Sequence, residues 1–401
     1  MKIVNSSAAR WRALFAGLLL TLGACGGGVE TGGTGAYVQG PVVGFGSVIV
    51  AGVRFDDSTA VVADADDTPF DRNNLRLGML VEIESDRPVA DGSGGRAATA
   101  TRVRLASGLL GPVQAVGLTE SRIRVLGQIV RLTPATVLEG LPGGVASLQV
   151  NDVVEVHGFL SPPGLLADVI ATRIERRVSV LAAFRVRGSA HNIDAVARTL
   201  RVGFETFDLS AIGLPPNLVD GAVLRLRVGT VQQPGGRWLV QAAVVETRRL
   251  DDRDEAEVEG LITSFTGTTR FAINGAAVET NNSTSFPDGT AGLAVGARVE
   301  VEGRIVGGVL IANRVELRSD DRVFNEGFDL RGRMSALNGG ARTFVVRGVT
   351  VVYGASPPLR YDGGSEADLA DNRCVRVRAT LDSDRVRAVA YRIEFINNCV
   401  P

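Results

Sequence analysis

The stretch that decides the fold lies between residues 260 and 316. It opens with Gly260-Leu261-Ile262-Thr263-Ser264-Phe265 and Arg270-Phe271-Ala272-Ile273-Asn274-Gly275-Ala276-Ala277-Val278. After a polar loop it continues with Val299-Glu300-Val301-Glu302-Gly303 and Leu310-Ile311-Ala312-Asn313-Arg314-Val315-Glu316. Each run alternates apolar with polar residues, the period-2 pattern of a strand that buries one face. Val299 and Val301 are expected inward, Glu300 and Glu302 outward. Asn274-Gly275, between two short runs, supplies the positive φ of a tight hairpin.

The same blocks recur in the same order. An opening glycine appears at Gly44, Gly111, Gly188, Gly260 and Gly332. Hairpin-like blocks follow at Ser47–Phe55, Arg122–Val130, Thr199–Gly203 and Thr343–Val351. Later strands recur at Leu80–Glu84, Val153–His157, Val223–Arg227 and Cys374–Arg378. Closing strands begin at Ala100, Ala171, Ala243 and Ala390. Repetition at this period marks tandem copies of one supersecondary unit. The expected fold is therefore all-β, with five tandem units at residues 39–107, 108–180, 181–250, 256–320 and 328–401. A small sheet with one apolar face must close on itself or find a partner. Closure into a five-stranded barrel, similar to the oligonucleotide/oligosaccharide-binding fold, is the economical solution. A two-sheet sandwich, or strands exchanged between neighbours, would serve the same end. The charged runs Asp251–Glu255 and Ser319–Arg322 read as solvated joints, giving a string of barrels.

Ahead of the repeats, Lys2, Arg10 and Arg12 precede an apolar run, Ala13–Leu22, too short to cross a bilayer at about 20 residues. It ends in Leu22-Gly23-Ala24-Cys25, which resembles the lipobox of bacterial lipoproteins. The expectation is a signal peptide over residues 1–24 and lipidation at Cys25. A plain signal peptide with an incidental cysteine is the alternative. Two or three acyl chains would give stable anchoring. Residues 25–38, rich in glycine, read as a flexible tether with a reach of roughly 20 Å. Gly26 follows the cysteine, where enteric inner-membrane lipoproteins carry aspartate, so by analogy the expected location is the outer membrane.

The remaining cysteines, Cys374 and Cys399, are expected to form a disulfide in an oxidising compartment. The 401-residue chain carries 43 basic and 44 acidic residues. Lys2 is the only lysine. With so balanced a charge there is no basic field to drive nucleic-acid binding, and few aromatics are left for stacking, because Phe55, Phe271, Phe344 and Trp238 fall at expected core positions.

No catalytic, metal or cofactor motif emerges. The two histidines, His157 on the outward side of a strand and His191 in a turn, read as surface residues. Without a third histidine or a nearby cysteine they make no zinc site. Asp64-Ala65-Asp66-Asp67 does not match the calcium-loop spacing and reads as an exposed acidic loop. Glu300 and Glu302 are explained by solvation and cross-strand pairing with arginines such as Arg314.

Gly44–Asp56, together with the Val-Glu-Val-Glu-Gly and Ala-Asn-Arg-Val-Glu blocks, resembles a bacterial family built from tandem copies of a domain of unknown function. Its members are commonly exported proteins or lipoproteins. The resemblance is stronger in the first and fourth copies than in the others, where Asn151 and Asn372 replace the glycine of Gly78 and Gly296. It implies the architecture and supplies no site residues.

The function expected from these features is a non-enzymatic envelope protein, anchored to the membrane and presenting barrels to an envelope protein or glycan. An enzyme acting on envelope polymers, with carboxylates in a cleft between units about 5 to 9 Å apart, is the alternative.

Overall fold

β-Branched residues dominate the alternating runs, and left-handed turn residues punctuate them, so the chain folds as short strands joined by tight turns. The computed structural model describes residues 35–92, 95–106, 108–117, 119, 121–163, 165, 167–246, 250–320, 327–354, 358–397 and 399. Residues 1–34, with the signal-peptide and Cys25 readings, lie outside them. Among the described residues the fold is all-β, with 56% strand and 3% helix. No helix among the described residues is long and apolar enough to cross a membrane.

Several small five-stranded barrels make up the fold, and the fourth shows the plan. Arg253–Gly267 pairs antiparallel with Arg270–Ile273, which pairs with Ala276–Glu279. Ala276–Glu279 then runs parallel to Val309–Leu317. Arg298–Val306 joins Val309–Leu317 back to the opening strand and closes the circuit. The same circuit runs through Leu109–Gly117, Arg122–Val125, Gln128–Glu139, Val169–Arg176 and Val153–Leu160. It recurs within residues 36–105, 184–245 and 328–395. Each circuit uses strands consecutive in sequence, so strands are not exchanged between neighbours.

Three repeated details explain the sequence pattern. The opening glycine crosses beneath the hairpin turn, where a Cβ would press on the side chain above it. At Gly188 that neighbour is Val202, 2.5 Å from where a Cβ would sit, and at Gly332 it is Val346, at 3.2 Å. In the first barrel the equivalent residue is Gly40, beneath Val50, not Gly44. Gly40 faces Val81 as Gly111 faces Val154 and Gly260 faces Val299. Gly44 instead approaches Asp329 of the last barrel.

The second detail is a residue at positive φ before the fourth strand of the circuit: Gly78, Asn151, Gly221, Gly296 and Asn372, between +66° and +88°. Asparagine tolerates this region better than other side-chain-bearing residues, so the two departures from glycine keep the geometry. The third is a register shift in the last antiparallel pair, at Ser85, Gly158, Val228, Gly303 and Ala379. Such a bulge bends a strand enough to help close a small barrel.

The barrels are packed together rather than strung out. Ala36–Gln39 runs parallel to Glu255–Val258, joining the first barrel to the fourth, and Gly44-Phe45 joins Asp329-Leu330 of the last. The first and last barrels share one continuous core, and the second and third share another. Leu80, Phe159, Ile170 and Leu261 form an apolar junction among the first, second and fourth. The run Asp251–Glu255, expected as a solvated joint, is strand from Arg253 onward, because Glu255 takes hydrogen bonds from Arg87 and Arg96 of the first barrel. Strand also begins at Ala36, inside the stretch read as tether. Of the other charged joint, Asp321 and Arg322 lie outside the described residues. Cys374 and Cys399 are disulfide-bonded, tying Cys399 to the start of the strand Cys374–Leu381.

A Cβ at Gly303 would collide with the Ile311 carbonyl, whereas at Gly339 it would meet nothing within 4 Å. Gly303→Ala is expected to cost about 1–3 kcal/mol, and Gly339→Ala less than about 0.5 kcal/mol. Urea unfolding of the two variants checks the contrast.

Candidate functional sites between the barrels

Alternation directs Val299 and Val301 into the fourth barrel, where both are fully buried, and Glu300 and Glu302 to its outside. That outside is not all solvent, because the first barrel lies alongside. Glu257 faces Glu302 across the antiparallel pair and Val38 across the parallel one. It retains only 7% exposure. Oxygens of Glu257, Glu300 and Glu302 lie within 4.8 Å of one another. Their arginine neighbours stand slightly off: Arg96 at 3.7 Å from Glu257, Arg318 at 3.8 Å from Glu300 and Arg314 at 3.4 Å from Glu302.

Burial is the main reason that Glu257 and Glu300 hold their protons above the ordinary carboxylate range, and the neighbouring carboxylates add to it. Pairing with Arg314 follows the sequence reading of Glu302, while full solvation does not hold for Glu300 or Glu257. Such oxygens are the donors that hard divalent cations take. Here protons and guanidinium groups already offset the charge. Glu257 and Glu302 border a groove of about 390 Å³ between the first and fourth barrels.

A second polar seam covers the outward face of the second barrel. The register sets Glu155 opposite Glu175 and His157 opposite Arg173. His157 points outward as its alternation requires, yet it is 2% exposed and not a surface histidine. Barrel contacts cover it. Thr172 donates to the Gly78 carbonyl and Arg173 to the Leu77 carbonyl of the first barrel, and Arg185 of the third donates to Glu155 at 2.6 Å. Arg173 also bridges Glu139 and Glu175. Burial holds the imidazole neutral, its pKa pushed down to about 4. Neither ring nitrogen has a hydrogen-bond partner.

A third site is a cavity of about 420 Å³ between the second and third barrels. The Phe204 N–H donates to the Gly127 carbonyl, bringing the two hairpin turns together. Gln114 and Trp238 both donate to Glu205 at the same joint. Gln128 lines the cavity at 1% exposure, and neither of its amide atoms has a partner. Phe204, 58% exposed, stands at its edge. Asp168 accepts from the Ile129 N–H at 2.7 Å, and burial raises its pKa. Gln128 and Phe204 went unnoticed in the sequence reading. The available signal is a polar residue in a slot where Val53, Ala276 and Val349 follow the turn in other barrels.

Other residues stand where the sequence placed them. Phe55, Phe271 and Phe344 are buried, and Trp238 packs edge-on against Phe184. His191 lies at the surface, in a short strand rather than a turn, 3.4 Å from Asp220. In the acidic loop, Asp64 caps the N–H groups of Asp66 and Thr68, and Asp67 pairs with Arg102.

Three segments match one family model. Residues 111–175, 259–316 and 331–394 fit the Domain of unknown function (DUF5666), within the second, fourth and last barrels. The first copy, whose Gly44–Asp56 stretch resembled the family strongly, lies outside the matched segments. No curated protein matches the chain. A solved structure, a multidomain protein with nucleic acid binding domains from Streptococcus pneumoniae TIGR4, is 12% identical. The similarity covers 53% of this chain and 73% of that one at a TM-score of 0.15, too poor a superposition to support an argument.

Raised carboxyl pKa values have a definite consequence for stability. Above the ordinary glutamate pKa of about 4.3, the unfolded chain releases the proton that folded Glu257 retains, so stability falls as pH rises. Glu257→Gln removes this penalty. Its unfolding midpoint is expected to match the parent near pH 4 and exceed it increasingly toward about pH 9, as read by urea denaturation across that range.

Proposed function

We propose that the chain is a non-enzymatic, lipid-anchored protein of the cell envelope whose barrels together form a binding platform. The single observation that carries this reading is the Leu22-Gly23-Ala24-Cys25 box placed ahead of repeated, mutually packed β-barrels. The disulfide between Cys374 and Cys399 fits an oxidising compartment. Several arginine–carboxylate pairs, among them Arg87–Glu255, Arg253–Glu84 and Arg185–Glu155, join one barrel to another, an arrangement that supports a rigid scaffold. Its partner is an envelope protein or glycan, and the outer membrane is the favoured location.

One observation favours the alternative, an enzyme acting on envelope polymers. Glu257 and Glu302 border a groove, and Glu257 holds its proton, as a general acid must. Glycoside hydrolysis needs carboxyl groups about 5 to 9 Å apart, whereas these oxygens lie within 4.8 Å. That closeness suits a proton shared between carboxyl groups better than a water or sugar placed between them.

Cys25→Ser is expected to leave the protein soluble or unprocessed when cells are fractionated. Unchanged membrane association would refute the anchor. Crosslinking of intact cells should recover a specific envelope partner above a tether-only control. Hydrolysis of envelope polymer by the parent, abolished in Glu257→Gln, would instead establish the enzyme.

A further inference from the structure

Buried polar groups nearly always find a hydrogen-bond partner, and those that do not call for an explanation. His157, on the strand Val153–Leu160, is 2% exposed, and neither ring nitrogen is bonded. It sits where two larger bodies meet. The first and last barrels share one core and the second and third share another. Contacts between the two bodies are slighter. Thr172 and Arg173 donate to the Gly78 and Leu77 carbonyls, and Arg225 to that of Ala65. The Leu138 N–H donates to the Arg385 carbonyl of the last barrel at 2.8 Å. Leu80 meets Phe159 and Ile170 in a small apolar cluster, Val137 touches the first core, and Val386 packs on the second.

Charged groups surround the imidazole on every side. Glu155, two residues away on the same strand, lies 3.9 Å from His157 Nε2, but it accepts from Arg185 and pairs with Arg177. Arg173 stands directly opposite, bonded to Glu139 and Glu175, and Glu175 also accepts from Arg177. From the first barrel, Asp64, Asp66 and Arg76 border the same cavity of about 350 Å³. A proton on His157 in the closed seam would set a further cation beside Arg173 and Arg185. The ring nitrogens are out of reach of water there, and both nearby carboxylates are already engaged by arginines.

We propose that the contact between the first and second barrels is an acid-opened joint, with the buried His157 imidazole as its sensor. Opening leaves each shared core largely intact, lets water reach the ring, and bares the polar face that carries Glu155, Arg173 and Glu175. While the seam is closed the ring stays neutral down to about pH 4, and once hydrated it takes a proton at the ordinary 6.5. The closed seam therefore has its full stability above pH 6.5 and loses it as pH falls toward 4. From pH 7 to pH 5 the equilibrium shifts toward the open form by about 20-fold. At the seam between the first and fourth barrels the sign is opposite, because Glu257 and Glu300 hold their protons there and lose stability only as pH rises. The joint does not depend on the envelope reading.

The test is hydrogen exchange of the full chain between pH 7 and pH 5, corrected for the intrinsic pH dependence of amide exchange. The Leu138 amide, bonded across the joint, is the reporter, and Val301 inside the fourth barrel is the control. Protection of Leu138 is expected to fall about 20-fold in the parent and less than about threefold in His157→Gln, with Val301 unchanged in both. Imidazole NMR of the parent needs no variant and decides the matter if His157→Gln fails to fold. It should show His157 still neutral at pH 6 wherever Leu138 remains protected. Constant Leu138 protection in the parent, an equal loss in the variant or at Val301, or a protonated His157 at pH 6 behind a fully protected Leu138 would overturn the joint.

Discussion

The structure depends on one small reciprocal contact, made again in each barrel. A turn residue with positive φ donates its N–H to the opening strand, and that strand donates back to the next residue. In the fourth barrel Gly296 donates to the Ile262 carbonyl and Ile262 to the Ala297 carbonyl, both at 2.8 Å. The same exchange links Gly78 with Val42, Asn151 with Val113, Gly221 with Ala190 and Asn372 with Met334. It fixes where the fourth strand enters, and so fixes the register in which it meets the opening strand. A one-residue slip there would turn every apolar side chain outward. Only glycine or a residue tolerant of the left-handed region can hold the position, which accounts for the glycines and the two asparagines alike.

Closure solves the problem of the inner face, and packing among barrels uses the outer one. Strands with charged outward positions normally face water. Here the first barrel covers part of the second and the fourth, so those charges must be satisfied within the protein. Arginine is suited to this because its planar fork serves more than one carboxylate. Arg173 reaches Glu139, Glu175 and a carbonyl of the neighbouring barrel. Arg187 takes both oxygens of Glu246. The absence of lysine from the barrels gives every cation that geometry, whatever the origin of the bias. Where arginines stand slightly away, at Glu257 and Glu300, protons make up the difference.

Much of the fold was legible because it is local. Alternation put Val299 and Val301 inside, the turn glycines marked the hairpins, and Phe55, Phe271 and Phe344 fell into cores. Similarity between blocks revealed the repeat, though the register of the first copy slipped by four residues, from Gly40 to Gly44. Pairing partners, which sequence does not display, settle that register. The candidate sites were legible only in part. His157 and Glu300 were assigned the correct side of their strands but the wrong environment, and Gln128 was not singled out at all.

By itself, the sequence determined the all-β class, the recurring strand order, the disulfide partners and which side of each strand faces a core. These follow from periodicity and turn chemistry, which act over a few residues. Only the tertiary structure decided which outward faces meet. The parallel seam between Ala36–Gln39 and Glu255–Val258 joins segments more than 200 residues apart. Burial of His157, proton retention by Glu257 and the unpartnered amide of Gln128 all arise at such seams. The physical reason is that desolvation depends on every neighbour that excludes water, and those neighbours come from other barrels.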